Sequence, residues 1–212
     1  MTDQRLGPAL VAEALGTFFL VFAGCGAIVI GSLSPTGVAA AFGLAIMVSI
    51  YALGHVSGAH FNPAVTAAFA VGRHFPLPRV VPYWLAQAAG ALVAAAALQV
   101  SLGSVADGVT RPAGSDLQAF AWETILTFVL VTVIVSVATD VRAVGQGAAI
   151  AIGGAVALGS LVGGPISGAS MNPARSLGPA LLSGDLSDLW IYLTAPFVGA
   201  IFGVVVYARM RP

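Results

Sequence analysis

The segment Ser57-Gly58-Ala59-His60-Phe61-Asn62-Pro63-Ala64 recurs 110 residues later as Ser167-Gly168-Ala169-Ser170-Met171-Asn172-Pro173-Ala174, with six of eight positions identical. The same shift carries Glu13 onto Glu123, Thr17-Phe18 onto Thr127-Phe128 and Gly43 onto Gly153, so the duplication extends well beyond one motif. The chain therefore reads as two copies of one plan, about 8–102 and 118–210, inside a single unit spanning 1–212. A bilayer core of about 30 Å needs roughly 20 helical residues to cross it. Each copy holds three apolar stretches of that size: about 8–31, 36–55 and 80–102, then 118–139, 144–164 and 189–209. Three is odd, so the second copy enters the membrane from the opposite side and the repeats are inverted.

Composition agrees. Only 8% of residues are charged and 58% are hydrophobic, against roughly 25% charged in a soluble domain. In hydrocarbon every backbone polar group must be paired within the protein, so the six stretches read as helices; a closed barrel would need short alternating strands instead. Eight Arg, no Lys and eight acidic residues balance, leaving no basic surface for nucleic acid. Cys25 is the single cysteine, and His55, His60 and His74 lack ligand spacing with a carboxylate, so neither a disulfide framework, a metal site nor a cofactor is expected. Met1–Gly7 is short, and the apolar run after it is long and contains Glu13, unlike a cleavable signal; it reads as a retained span. Arg5, Arg73, Arg79, Arg142, Arg209 and Arg211 flank the spans on one side and Arg111 and Arg175 on the other, which places both termini in the cytoplasm of a multi-pass cell-membrane protein. Small residues such as Gly24 with Gly26 and the run Gly153-Gly154 suit close helix crossings.

The two Asn-Pro-Ala segments are too short to span, since about ten residues follow Asn62 before Arg73 and Asn172 before Asp185. Asn suits an N-cap and Pro the first helical position. Both segments thus read as re-entrant half-helices starting at Asn62-Pro63-Ala64 and Asn172-Pro173-Ala174. Irregular backbone at membrane depth is tolerated where it lines a wet cavity, which brings the motifs together near the midplane around a pore. A capping Asn uses its side-chain oxygen on the backbone and leaves its amide N–H₂ for the lumen. Two converging half-helix dipoles then disfavour cations and protons. Arg175 stands where the first copy has Val65 and is unfavourable at a helix N-terminus, so something compensates for it. Snorkelling to the surface is its bland alternative.

These residues carry a resemblance. Residues 54–66 and 164–180, with Glu13, Thr17-Phe18 and their copies, resemble the aquaporin or major intrinsic protein family across essentially the whole chain. The resemblance implies an all-α membrane fold of six transmembrane helices plus two half-helices, a homotetramer with one pore per subunit, and an extracellular aromatic/arginine constriction. By distance from the motifs that constriction falls on Phe42, Ser160, Ala169 and Arg175. It implies that Glu13 and Glu123 each accept N–H groups from the loop of their own half; a proton relay is the other reading. His60 offers lumen contacts, although its partner in the second copy is Ser170. Strict water channels resemble one another in having His where Ser160 stands, and Tyr192-Leu193 departs from their aromatic-Trp pair, whereas Ser176 and Ala180 keep their pattern. The mixture most resembles the nodulin-like branch and its bacterial relatives. The expected function is a passive channel, not an enzyme, for water and small uncharged solutes such as glycerol, urea or metalloid acids (arsenite, boric, silicic), with lipid around it. A strictly water-selective aquaporin and a secondary transporter remain as alternatives, and Ser170 as a protease nucleophile lacks the glycine that should follow it.

Overall fold

The computed structural model describes residues 5–139 and 147–210. Arg142, Arg211 and the first residues of the fifth stretch lie outside the described residues. Six long helices are α1 (Leu6–Val29), α2 (Pro35–Ser57), α4 (Val80–Leu102), α5 (Asp116–Thr139), α6 (Ala148–Ser167) and α8 (Leu189–Met210), each long and apolar enough to cross a membrane. Between them sit the short α3 (Pro63–Val71) and α7 (Pro173–Ser183). The chain is thus an all-helical membrane protein of six spans and two half-helices.

Local chemistry sets the ends. Ser34 caps α2 by accepting from Gly37 N at 3.2 Å, with Pro35 in the first turn. Gly58, Gly103, Gly168 and Gly184 close α2, α4, α6 and α7 with left-handed φ of 77–89°, a conformation glycine adopts without a Cβ penalty. Pro165 lies inside α6, which nonetheless runs on to Ser167. The expected end at 164 is therefore three residues short, because a proline near a helix end removes a single N–H while the following turn is completed at Gly168.

In the first copy α1 packs on α2 and α4; in the second α5 packs on α6 and α8. The half-helices pack mainly across copies, α3 on α8 and α7 on α4, and α2 crosses α6 between the halves. At that crossing the backbones touch. A methyl on Gly43 would lie 2.5 Å from the Gly153 carbonyl oxygen, and one on Gly153 2.6 Å from that of Gly43. Gly154 faces open space and has no part in the crossing. Likewise Gly90 is pressed on the Ala14 carbonyl and Gly199 on that of Thr124. Ala14 and Thr124 are 110 residues apart but Gly90 and Gly199 are 109, so the second copy has lost one residue before its last helix. Large apolar side chains such as Val11, Leu85, Val93, Leu117 and Phe202 point outward, as a lipid-facing surface requires.

Gly153→Ala should destabilise the chain by about 1–3 kcal/mol through overpacking, lowering its thermal unfolding midpoint in detergent, while Gly154→Ala should leave the midpoint unchanged or raise it slightly. Equal midpoints for both variants would place the crossing elsewhere.

Candidate functional site

Each half-helix is reached through a loop with unusual backbone. After Gly58, Ala59 and Phe61 take φ of 54° and 48°; after Gly168, Ala169 and Met171 take 44° and 53°. A left-handed conformation costs a residue with a Cβ roughly 1–2 kcal/mol, so these four need external support. It comes from two fully buried carboxylates. Glu13 Oε1 accepts from Ser57 Oγ at 2.7 Å and His60 N at 2.9 Å, and Oε2 from Phe61 N at 2.7 Å and Gln87 Nε2 at 2.8 Å. Glu123 accepts from Ser167 Oγ, Ser170 N and Met171 N, each at 2.8 Å. Behind the loops, Tyr83 donates to the Ser57 carbonyl at 2.8 Å and Tyr192 to that of Ser167 at 2.7 Å.

The halves then diverge. Gln87 is one helical turn before Gly90, so its counterpart by packing is Pro196, one turn before Gly199, and Glu123 has three donors where Glu13 has four. Gln87 Nε2 also reaches Thr66 Oγ1 at 3.0 Å. Because Thr66 donates its single hydroxyl hydrogen to the Asn62 carbonyl at 3.0 Å, His60 Nδ1, 3.1 Å away, is assigned as the donor to Thr66. The His60 ring is enclosed by Phe69, Phe75 and Tyr83 at centroid distances of 4.8, 4.7 and 5.3 Å. The second half instead runs a hydroxyl chain: Thr110 donates to Ser176 at 2.8 Å, Ser176 to Ser170 at 2.6 Å, and Ser170 to the Asn172 carbonyl at 2.8 Å. Thr110 belongs to the loop between α4 and α5. Ser170 is thus occupied on all sides by this chain, with no histidine or lysine in it to activate a nucleophile.

Asn62 and Asn172 meet at the centre. Asn62 Oδ1 accepts from Ala64 N at 2.8 Å, and Asn172 Oδ1 from Ala174 N at 3.0 Å and Arg175 N at 3.3 Å. Their amides are not wholly free, contrary to the expectation from capping alone. Asn62 Nδ2 donates across to the Met171 carbonyl at 2.7 Å and Asn172 Nδ2 to that of Phe61 at 2.8 Å. The left-handed φ at Phe61 and Met171 turns those carbonyls toward the opposite motif, so each amide retains one N–H for the cavity. Trp84 Nε1 donates to the Pro63 carbonyl at 3.0 Å, and Pro63, Ala64, Pro173 and Ala174 are all buried.

An inner cavity runs past Ile50, His60, both asparagines and Ala169; an outer one opens past Leu33, Pro35 and Asp107. Phe42, Ser160 and Arg175 line both and mark where they meet. Arg175 is 2% exposed, so it does not snorkel. Its Nη1 donates to the Gly108 carbonyl at 2.9 Å and its Cζ stands 5.1 Å from the Phe42 ring centroid, a cation–π contact. Among the described residues its buried Nε has no partner. Ser160 makes no hydrogen bond among the described residues, so its hydroxyl is open to the lumen. The loop carrying Gly108 is tied down further out, where Arg111 donates to Asp185 Oδ2 at 2.8 Å and to the Ala106 carbonyl at 3.1 Å. Hydrogen bonding from Ser187 first, and then from Arg111, holds the Asp185 carboxyl below its usual range.

Gln87, Thr110, Gly108 and Tyr83 are not among the residues singled out from sequence, and Tyr192 is singled out there only with Leu193, not as a support for the loop. The tyrosines carry a signal, recurring at the 109-residue offset of the last helices; Gln87 and Thr110 carry none, because neither repeats.

Three comparisons bear on this geometry. Residues 2–207 match the model of the major intrinsic protein family. Aquaporin NIP1-1 of Oryza sativa subsp. japonica is 50% identical over 209 residues, covering 95% of this chain and 74% of its own length. Nodulin-26 of Glycine max is 50% identical over 209 residues, covering 95% and 77% respectively. The X-ray structure of the aquaglyceroporin from Plasmodium falciparum superposes with a TM-score of 0.84 at 28% identity, covering 96% of each chain.

Two outcomes follow from the site. Glu13→Gln and Glu123→Gln each place an amide hydrogen against backbone donors, and an unsatisfied buried group costs about 1–3 kcal/mol. Both variants should melt earlier in detergent, with the larger loss in Glu13→Gln because four donors depend on it; unchanged midpoints would mean the loops are held otherwise. Asp185, having a depressed folded pKa, contributes its tie above the ordinary value and loses it only as pH falls through the lower folded value. Its carboxyl carbon, followed by NMR, should titrate below 3.8, and a midpoint at or above that value would contradict the tie.

Proposed function

Because the chain belongs to the major intrinsic protein family and is a multi-pass channel for water and small uncharged solutes, we propose that its selectivity is set where Phe42, Ser160 and Arg175 meet, with Ala169 beside them. The observation that carries this reading is that these three side chains line both cavities, with the Ser160 hydroxyl making no hydrogen bond among the described residues and the Arg175 guanidinium fixed beside it. A solute passing there exchanges hydration for the Ser160 hydroxyl and the Arg175 guanidinium on one side and the Phe42 ring on the other. Serine occupies far less of the lumen than an imidazole, so the opening admits glycerol, urea or an uncharged metalloid acid as well as water.

Cations are rejected by the positive ends of α3 and α7 and by the fixed Arg175 charge. Protons are rejected because Asn62 and Asn172 each present a donor and no acceptor to the same water, which breaks a donor-to-acceptor relay. Glu13 and Glu123 serve as loop supports. Among the described residues their carboxylates accept from the loop backbone, from the serine that ends the preceding helix and, for Glu13, from Gln87, and neither lines the inner or the outer cavity. His60 contributes to the inner wall. The whole of 1–212 acts as one channel unit with repeats at about 8–102 and 118–210. We place it as a homotetramer in the cell membrane, surrounded by lipid, with cytoplasmic termini, no nucleic-acid partner and no enzymatic reaction.

Stopped-flow light scattering of proteoliposomes tests this against the water-only reading. Fast entry of glycerol, urea and boric acid alongside water, linear in gradient, is the expected result. Water flux without solute entry would leave Phe42 and Arg175 as a closed filter, and saturating, ion-dependent entry would indicate a transporter.

A further inference from the structure

We infer that Gly24, a residue that lines neither cavity, sets the width of the Phe42–Ser160–Arg175 opening by providing the recess in which the Phe42 ring is seated. The inference rests on the reading that this opening is the selectivity filter.

Gly24 lies in the last quarter of α1 and is buried. A methyl built on it would overlap the Phe42 ring at three atoms, Cε1, Cδ1 and Cζ, of which Cζ, the farthest, would be at 2.6 Å. Carbon atoms settle at about 3.5–4.0 Å, so even that atom must move by roughly 1 Å. The Cδ1–Cε1–Cζ edge of the ring sits against the helix backbone because no side chain projects from it there.

The direction of movement is fixed by the neighbours. Helix α1 is backed near Gly24 by α4 and by the loop that carries Gly108, which limits its retreat toward them. A methyl on Gly26 would meet Leu98 Cδ2 at 3.1 Å, and one on Gly108 would meet Cys25 Cβ at 3.2 Å. The Phe42 side chain also lines both cavities, and Arg175 Cζ stands over its ring at 5.1 Å from the centroid. A ring pushed out of the recess therefore moves toward Arg175 and into the lumen. Arg175 does not yield easily, since Gly108 holds its Nη1 and Cys25 backs Gly108. The opening narrows, and it narrows against the larger permeant first. Gly24 thus acts as a positioning residue for Phe42, and through it as a determinant of which solutes pass.

The test uses the full chain in proteoliposomes, with water and glycerol permeability measured per reconstituted channel for Gly24→Ala, Phe42→Leu and the double variant. Gly24→Ala should lower the glycerol-to-water ratio by roughly tenfold or more, the scale set by overpacking a tight site. Phe42→Leu alone should raise the ratio, and adding Gly24→Ala to Phe42→Leu should leave it within about twofold of the Phe42→Leu value, because leucine lacks Cε1 and Cζ and its δ-methyls, unlike a rigid ring edge, can rotate out of the recess. An unchanged ratio in Gly24→Ala, or an equal fall in the Phe42→Leu background, would overturn the role of Gly24. A Phe42→Leu chain with the wild-type ratio would instead overturn the filter reading itself. Should Gly24→Ala not reach the vesicle membrane, the comparison of the double variant with Phe42→Leu decides: equal ratios support the recess, and a lower ratio in the double variant contradicts it.

Discussion

The structure depends on two carboxylates sunk in the membrane. Without Glu13 and Glu123, four non-glycine residues would hold a left-handed backbone with exposed N–H groups facing apolar side chains, at a cost of several kcal/mol per loop. With them, each loop is drawn out at the midplane and its carbonyls are turned outward. The rest follows from that geometry. Phe61 and Met171 present their carbonyls across the centre, Asn172 and Asn62 donate to them, and the two half-helices are joined end to end by a pair of reciprocal hydrogen bonds. A charge in the core of a membrane protein usually suggests transport of that charge; here each charge is matched by three or four fixed donors and serves the backbone.

The inverted repeat makes much of this legible in the sequence. Six spans, two half-helices, the capping asparagines and both glutamates can be located from self-comparison and from the length of the apolar runs. What resists reading is the part of the site that does not repeat. Gln87 faces Glu13, but the single-residue loss before α8 puts Pro196 in the matching place, so no internal echo points to it. Thr110 and Gly108 lie in a loop with no counterpart, and their contacts with Ser176 and Arg175 exist only because that loop folds inward. The asparagine amides escape a local reading for a similar reason: capping is a local rule, whereas their crossed bonds depend on a partner about 110 residues away. Pro165 counts for less as a helix stop than its place in the sequence suggests, since its position within one turn of Gly168 leaves little helix to break.

Function arises where the copies depart from one another. Symmetry supplies two equivalent half-helices and a central crossing at Gly43 and Gly153, which makes a frame with a lumen and no preferred end. The outer half alone carries Arg175, the loop that fixes it, and a hydroxyl chain in place of the His60 box. Phe42 comes from the first copy, Ser160 and Arg175 from the second, so the place where the two cavities meet is assembled across the repeat boundary. On the proposed reading, selectivity is accordingly a property of the fully folded chain.

The central claim is that the crossed asparagines leave one donor each for a shared water and offer it no acceptor. A high-resolution structure in lipid addresses it most directly. The account predicts an ordered water whose oxygen lies within about 3.2 Å of Nδ2 of both Asn62 and Asn172, with its hydrogens directed along the pore in opposite senses. A dry junction at that level, or an asparagine carbonyl oxygen facing the lumen, would contradict it.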